Sequence, residues 1–280
     1  YRVRQRAVKA LAYALYQAVS PPLRTETPAP HFLLGRDLPY AQALTALQRN
    51  ETVYIAGPSG VGKTALGAAI AGHWPAQHVF WYTLRRDFND QTSSLLFALG
   101  HCLRSLGAGN TWRQLVADRG VADVDRALGL LRYDIEALRP AALLICIDEM
   151  DVLQDDRLEH VQIMHLLEEL ALCGPLLLIG QRALLPVELT LRLDGLEAGA
   201  LDTLFRRSGV PPLQEELYPR VLLYTRGYPV LVQLFASLIR SGEEVETALQ
   251  LLPKTPSIEA LFQRIWRRLE EGERSLLMQL

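Results

Sequence analysis

Residues 57 to 64 read Gly57-Pro58-Ser59-Gly60-Val61-Gly62-Lys63-Thr64 and match the spacing G-x-x-x-x-G-K-[ST] in full. That spacing suits one task, wrapping a chain of phosphates. The glycines let the main chain approach where a Cβ would clash. Successive N–H groups along the loop then turn inward, and the N-terminus of a following helix adds its positive dipole. Lys63 brings a point charge to the β- and γ-phosphates of a nucleotide. The Thr64 hydroxyl completes a ligand set for Mg2+. Pro58 to Thr64 are thus candidate nucleotide-binding residues. The bland alternative is a glycine-rich turn with an incidental lysine.

A second element carries acids. Leu143-Leu144-Ile145-Cys146-Ile147 is an apolar run that ends in Asp148-Glu149. This is the expected form of a Walker B element. Asp148 would hold Mg2+ directly or through water, and Glu149 would orient or deprotonate the attacking water. Many strands end in acidic turns, so the pair draws its weight from the loop at 57–64. Asp151, just beyond, reads as a helix cap. The apolar run at 175–180 ends in Gly180-Gln181-Arg182. Ligand-facing groups sit at the carboxyl ends of strands in open α/β sheets. Arg182 there can reach a γ-phosphate and report its presence. Gln181 is the other carrier of that role, and a solvated loop arginine is the plain alternative. Glu149, Lys63 and Arg182 are thus the candidate catalytic residues, and Thr64 and Asp148 the candidate metal ligands.

These groups need elements to position them. Glu51 to Ala56 is a short β-branched, apolar run, and Ala65 to Ala71 opens a helix, so strand, glycine loop and helix follow in the order the chemistry requires. Five strands are expected, at 52–56, 78–83, 142–147, 175–180 and 188–193. Helical patterns at about 63–72, 90–106, 122–138 and 157–172 separate them. Such alternation predicts a mostly parallel five-stranded sheet with helices on both faces, a three-layer α/β nucleotide-binding domain of the P-loop NTPase class. After residue 195 only helical patterns remain, at about 197–207, 213–225, 229–240, 243–252 and 256–271. The expected organisation is an N-terminal helix and linker at 1–30, the nucleotide-binding domain at 31–194 and a smaller all-α lid at 195–280. The opening helix at 2–19 carries Arg2, Arg4, Arg6 and Lys9, and Pro21-Pro22 with 25–30 reads as linker. The chain begins at Tyr1 and ends within the apolar pattern Ser275 to Leu280, so a piece of a longer polypeptide is expected.

Composition narrows the classes. The 280-residue chain is 49% hydrophobic, enough for a substantial core, and its net charge of -2 gives no global attraction to nucleic acid or acidic membranes. No apolar stretch approaches the roughly 20 residues that span a bilayer. Cys102, Cys146 and Cys173 show no metal-ligand spacing and fit a reducing, cytoplasmic setting, with Cys146 a small core residue. His101, His160 and His165 lie in helical stretches without metal-ligand partners. Trp81, Tyr82 and Phe97 read as core aromatics, and Glu168-Glu169 as a solvated helix face.

Taken together, the parts resemble the STAND class of signal-transduction P-loop ATPases (NB-ARC, NACHT and MalT-like regulators), which is related to the AAA+ group. The resemblance covers about residues 31 to 271. His31-Phe32-Leu33-Leu34-Gly35-Arg36-Asp37 looks like the apolar-Gly-Arg motif that precedes the first strand in that class. Gly57 to Thr64, Asp148-Glu149 and Arg182 follow in order. Arg192-Leu193-Asp194-Gly195-Leu196 resembles the start of the helical subdomain, and Gly227-Tyr228-Pro229 is similar to its Gly-x-Pro motif. The resemblance implies that Gly35 and Arg36 lie against the adenine and ribose, and that Pro229 packs near the nucleotide. A helix start with proline in its first turn also accounts for Gly227 and Pro229. Asp148-Glu149 is closer to AAA+ and origin-recognition ATPases than to the Asp-Asp of NB-ARC relatives. The absence of an arginine just after the Gly-x-Pro position favours the STAND side.

Two functions follow from the resemblance. The first is a nucleotide-operated switch that rests with ADP, exchanges it for ATP, self-associates, hydrolyses slowly with Mg2+ and works with other domains of the same longer chain. The second is an ATPase that loads on or remodels nucleic acid, which the basic opening helix supports and the near-neutral net charge opposes. Arg206 and Arg207 are candidate arginine fingers, although adjacent arginines at a helix end are ordinarily solvated. A small-molecule kinase would need an arginine-rich lid and an acceptor pocket, and a transporter ATPase a Leu-Ser-Gly-Gly signature. None of these is seen.

Overall fold

The computed structural model describes residues 27–29, 33–119, 123–139, 141–211 and 213–252. The expected helices at 2–19 and 256–271, the Pro21-Pro22 junction, and His31 and Phe32 lie outside the described residues. In chain order, α1 (Asp37–Gln48) precedes β1 (Thr52–Ala56), and the phosphate-loop segment leads into α2 (Lys63–Ala71). Then come β2 (Val79–Thr83), α3 (Thr92–Ser105), α4 (Asn110–Ala117), α5 (Val124–Glu136), β3 (Leu144–Asp148), α6 (Leu158–Ala171), β4 (Leu176–Gly180) and β5 (Leu189–Arg192). Helices alone follow: α7 (Ala198–Arg207), α8 (Tyr218–Thr225), α9 (Pro229–Arg240) and α10 (Val245–Leu251).

The chain divides into two compact units. One contains Leu38–Ala56 and Thr64–Arg192. The other contains Leu34–Asp37, Gly57–Lys63 and the described residues from Leu193 onward. The phosphate-loop residues 57–63 therefore cluster with the helical part of the sequence, while Thr64 clusters with the sheet.

In the first unit the five strands form one sheet in the order β2-β3-β4-β1-β5, with every neighbouring pair parallel. This is the α/β architecture expected from the alternation of strands and helices. Every residue of β1, β3 and β4 is buried, as strands covered on both faces must be. β5 buries only Leu191 and is an edge. Although β4 comes after β3 in sequence, it lies between β3 and β1, with Ala56 opposite Gly180. The carboxyl ends of β1, β4 and β3 thus stand side by side. Thr83 at the end of β2 is level with Asp148 at the end of β3. One sheet face packs Tyr54, Phe80 and Tyr82 against apolar residues of α3, α5 and α6 such as Leu99, Leu131 and Leu166. Trp81, Tyr82, Phe97 and Cys146 are buried as expected.

The sequence pattern misses α4. Its start has no local cap: Gly109 precedes it and offers no side chain. The orphan N–H groups of its first turn are met from α5 instead. Asp134, fully buried, accepts from the N–H of Asn110 at 3.2 Å and of Thr111 at 2.7 Å, and from the Thr111 hydroxyl at 2.8 Å. Trp112 of α4 then sits in the core edge-on to Phe97.

Two further expectations need correction. The helix expected over 213–225 begins only at Tyr218, after a 3-10 turn at Glu215–Leu217, because Pro219 has no N–H to donate and belongs in a first turn. Of the Glu168-Glu169 pair, Glu168 is exposed as expected, while Glu169 is half-buried and its carboxylate pairs with Arg132 of α5. The second unit has its own core, where Phe205 of α7 meets Phe235 of α9 with ring centres 5.7 Å apart, and Leu201, Val221, Val232 and Ala248 close around them. Among the described residues no helix is long and apolar enough to cross a membrane.

Asp134 predicts a measurable cost. Asp134→Ala leaves several buried donors without an acceptor, each worth about 1 to 3 kcal/mol. Thermal unfolding of the variant is expected to show a loss of at least about 3 kcal/mol, with Asp134→Asn retaining part of it because one amide oxygen still accepts.

Candidate functional site

The second unit shapes the phosphate loop. Gly60 and Gly62 have φ of +79° and +99°, a region costly for side-chain-bearing residues. A Cβ on Gly60 would stand 3.2 Å from Val230 Cβ, and one on Gly62 would meet Pro229 Cγ at 3.9 Å. The N–H of Val230 faces the Gly60 carbonyl at 3.5 Å, at the long limit of a hydrogen bond. Arg36 braces the loop from another side: its Nη2 donates to the Val61 carbonyl at 3.2 Å and to the carbonyl of Asp194. Burial lowers the Arg36 guanidinium from its ordinary range, and the charge of Asp194 opposes that shift. The Lys63 ammonium folds over the loop and donates to the Pro58 carbonyl at 3.0 Å. Gly35, Arg36, the 57–63 segment, Pro229 and Val230 are therefore gathered in one compact unit. Val230 and the Asp194 carbonyl are partners that sequence patterns did not single out, because both contribute main-chain groups.

The first unit gathers the acids. Asp148 ends β3 nearly buried, at 4% exposure. Its Oδ2 accepts from the Thr64 hydroxyl at 3.0 Å, and its Oδ1 from the N–H of Glu149 at 2.8 Å. Glu149 is exposed and left-handed, with φ of +60°, at the start of the 3-10 turn Met150–Leu153. A non-glycine residue in that region costs of order 1 kcal/mol and persists where its surroundings enforce it. Asp151 is not the helix cap expected for it. Its Oδ2 accepts from the N–H of Gln181 at 2.6 Å and its Oδ1 from Gln154 Nε2 at 2.8 Å. Arg182, exposed, donates to Gln154 Oε1 at 2.9 Å. Arg206 is exposed and paired with Asp202 one helical turn back.

The loops after β2 and β3 at the same strand edge are laced together by charge. Buried Asp90 accepts from Arg157 Nη2 at 2.8 Å and lies 3.1 Å from His160 Nε2. Burial pushes the Asp90 carboxyl up, but hydrogen bonds from the main chain and His160, with the charge of Arg157, together bring it below the ordinary range. His160 is thus a buried partner of carboxylates, a role its place in a helical stretch did not signal.

The chemistry available follows from these parts. The positive φ of Gly60 and Gly62 gives the 57–64 segment a backbone path of the kind that wraps a polyphosphate. The Thr64 hydroxyl and the Asp148 carboxylate are hard oxygen donors within 3.0 Å of each other, the donor type that Mg2+ takes when phosphates and water supply its remaining ligands. These residues fit a Mg2+-nucleotide.

No protein-family model matches the sequence, and no curated protein matches it. Solved structures do. The Walker-type ATPase PABY2304 of Pyrococcus abyssi is similar with a TM-score of 0.58 and 14% identity, over 90% of this chain and 79% of that one. The ORC1 protein of Aeropyrum pernix, solved in complex with DNA, is similar with a TM-score of 0.50 and 15% identity, over 89% of this chain and 72% of that one. At such identities the likeness speaks for the fold alone, a parallel five-stranded α/β sheet followed by a helical portion, which this chain shares with those structures.

The entry to the helical unit offers a test. A Cβ on Gly227, whose φ is +67°, would overlap the Leu196 carbonyl oxygen and lie 2.7 Å from the Leu196 nitrogen. The Leu196 N–H donates to the Gly227 carbonyl at 2.7 Å, so the two segments cross backbone to backbone. Gly227→Ala is expected to destabilise by about 3 kcal/mol or more, from left-handed strain and overlap combined. Gly174→Ala, with nothing within 4 Å of the new methyl, should leave the melting temperature near that of the parent.

Proposed function

We propose that this chain is an ATP- and ADP-binding module that acts as a nucleotide-dependent switch and hydrolyses ATP slowly with Mg2+. The observation that carries the reading is the 3.0 Å hydrogen bond between Thr64 and Asp148. The last residue of the phosphate loop and the first acid of the 148–149 pair, 84 positions apart, meet as metal ligands would. In this reading 31–194 is the nucleotide-binding domain and 195–280 a helical lid subdomain. Gly35, Arg36 and Pro229 contact the nucleotide beside the loop. Thr64 and Asp148 would hold Mg2+, which would supply positive charge to offset that of the phosphates.

The chain's own groups do the rest. The loop N–H groups of 59–64 hold the phosphates in place. Lys63 offsets the charge that grows on the leaving oxygen. Glu149, exposed beside a buried acid, aligns a water for attack on the γ-phosphorus. Arg182, at the end of the strand between the loop strand and the acid strand, contacts the γ-phosphate and distinguishes ATP from ADP. Bound ADP is the resting state, exchange for ATP the signal, self-association the output and hydrolysis the reset. Other domains of a longer chain would supply the input, in the cytoplasm. The STAND class of signal-transduction ATPases is the family reading favoured here.

The likeness to an ORC1 protein solved with DNA supports a second reading, an ATPase that loads on nucleic acid. Its signature is duplex binding that weakens steeply with salt.

The nucleotide released on denaturing the freshly purified protein separates the two readings. Near-stoichiometric ADP is expected of the switch, and an empty site with rapid turnover of the loader. Lys63→Ala is expected to lose nucleotide binding, measured by calorimetric titration with Mg-ATP. Equal affinity in that variant and the parent would remove the loop from the site. Glu149→Gln is expected to keep ATP bound while turnover falls by about 100-fold or more, as loss of a positioned base does. Parent-like turnover there would take the catalytic role away from Glu149.

A further inference from the structure

One carboxylate joins the turn after β3 to the end of β4. Asp151 Oδ2 takes the Gln181 N–H, and Asp151 Oδ1 takes the Gln154 amide nitrogen, whose oxygen takes the Arg182 guanidinium. The order of donors along this relay is forced. A carboxylate only accepts and a guanidinium only donates, so Gln154 must give its NH2 to Asp151 and turn its oxygen to Arg182. Both Asp151 oxygens are engaged. The approach is also close: a Cβ on Gly180 would overlap the Tyr54 hydroxyl and stand 3.1 Å from Met150 Cβ and 3.4 Å from Asp151 Oδ2. Burial, and then the charge of Asp151, push the Tyr54 phenol up, which keeps a neutral hydroxyl beneath this junction.

We infer that Asp151 is a positioning residue that fixes Gln181 and Arg182 against the turn that begins at Glu149. The inference rests on the nucleotide reading above. The group that reports the γ-phosphate and the turn that carries the water-aligning carboxylate are then joined by one set of hydrogen bonds. Loosening it misplaces Arg182 without touching the phosphate loop. The effect belongs in turnover and in the preference for ATP over ADP, while ADP affinity is untouched. Misplacement of a reacting group by about 1 Å costs up to about 100-fold in rate.

The polarity of the relay supplies a test that general destabilisation would not mimic. In Asp151→Asn the new amide oxygen keeps the Gln181 N–H and its NH2 faces Gln154. Gln154 then flips and presents NH2 to Arg182, which cannot accept. In Gln154→Glu alone, two carboxylates face each other. In the double variant D151N/Q154E, the amide introduced at position 151 donates its NH2 to one oxygen of the carboxylate introduced at position 154. The other oxygen of that carboxylate accepts from Arg182, so the relay is whole again. Steady-state Mg-ATP turnover and ADP affinity are measured on the full chain. Each single variant is expected to lose about tenfold or more in kcat with unchanged ADP affinity, and the double variant to recover towards the parent. Gln154→Ala changes an exposed position where folding is not at stake, and it should also lower kcat and the ATP preference. Parent-like kcat in folded Asp151→Asn or in Gln154→Ala overturns the inference, as does a folded double variant no faster than the singles. A parent chain that binds neither ATP nor ADP overturns the nucleotide reading itself, and the inference falls with it.

Discussion

A carboxylate placed almost wholly out of water needs donors, and Asp148 finds them on both sides. One oxygen takes the Thr64 hydroxyl and the other the N–H of its own successor, Glu149. Its main-chain carbonyl accepts from Leu84, which fixes the chain leaving β2. Three segments distant in sequence are held by a single residue. In the sheet β4 lies between β3 and β1 and is buried on both faces, which brings the three carboxyl ends side by side. A one-residue slip of β3 would turn Asp148 to the opposite face and leave its charge without donors.

The same edge is stiffened twice more. Asp90 is buried against Arg157 and His160, which ties the loop after β2 to the start of α6. Asp90 and His160 are buried in this cluster, but Arg157 is 41% exposed and also pairs with Asp87 and Asp155. Removing Arg157 would take a donor from a carboxylate already out of water, so the cluster fixes geometry more than it adds net stability. Asp151 does the equivalent work between the turn after β3 and the end of β4. Glu149 is carried in a left-handed conformation between these fixed points, so its carboxylate emerges exposed beside a buried acid. Within the second unit the phosphate-loop segment is held in the same manner, with Arg36 on the Val61 carbonyl and Pro229 and Val230 against its glycines.

The strands and most helices are legible in the sequence for a simple reason. Buried parallel strands are short unbroken apolar runs, and helices between them carry periodic faces, so both patterns are local. The helix at Asn110–Ala117 is not legible, because its cap comes from Asp134 in another helix. Asp151 misled for the same reason. An acid after a strand looks like a cap locally, and its acceptors are spent on Gln181 and Gln154 instead. His160 and Glu169 looked idle or solvated until the fold brought Asp90 and Arg132 to them.

By itself the sequence determined the fold class and the candidate chemistry, because a glycine-rich loop ending in Lys63-Thr64 and an apolar strand ending in Asp148-Glu149 are contiguous stretches whose residue types dictate local geometry. Only the tertiary structure decided which residues hold those stretches in place. Gly57–Lys63 clusters with the helical part of the chain through Arg36, Pro229 and Val230, and Thr64 with Asp148 in the sheet. The donors and acceptors that set this are side chains and carbonyls tens of residues apart. Their pairing depends on strand order and register, which no local pattern encodes.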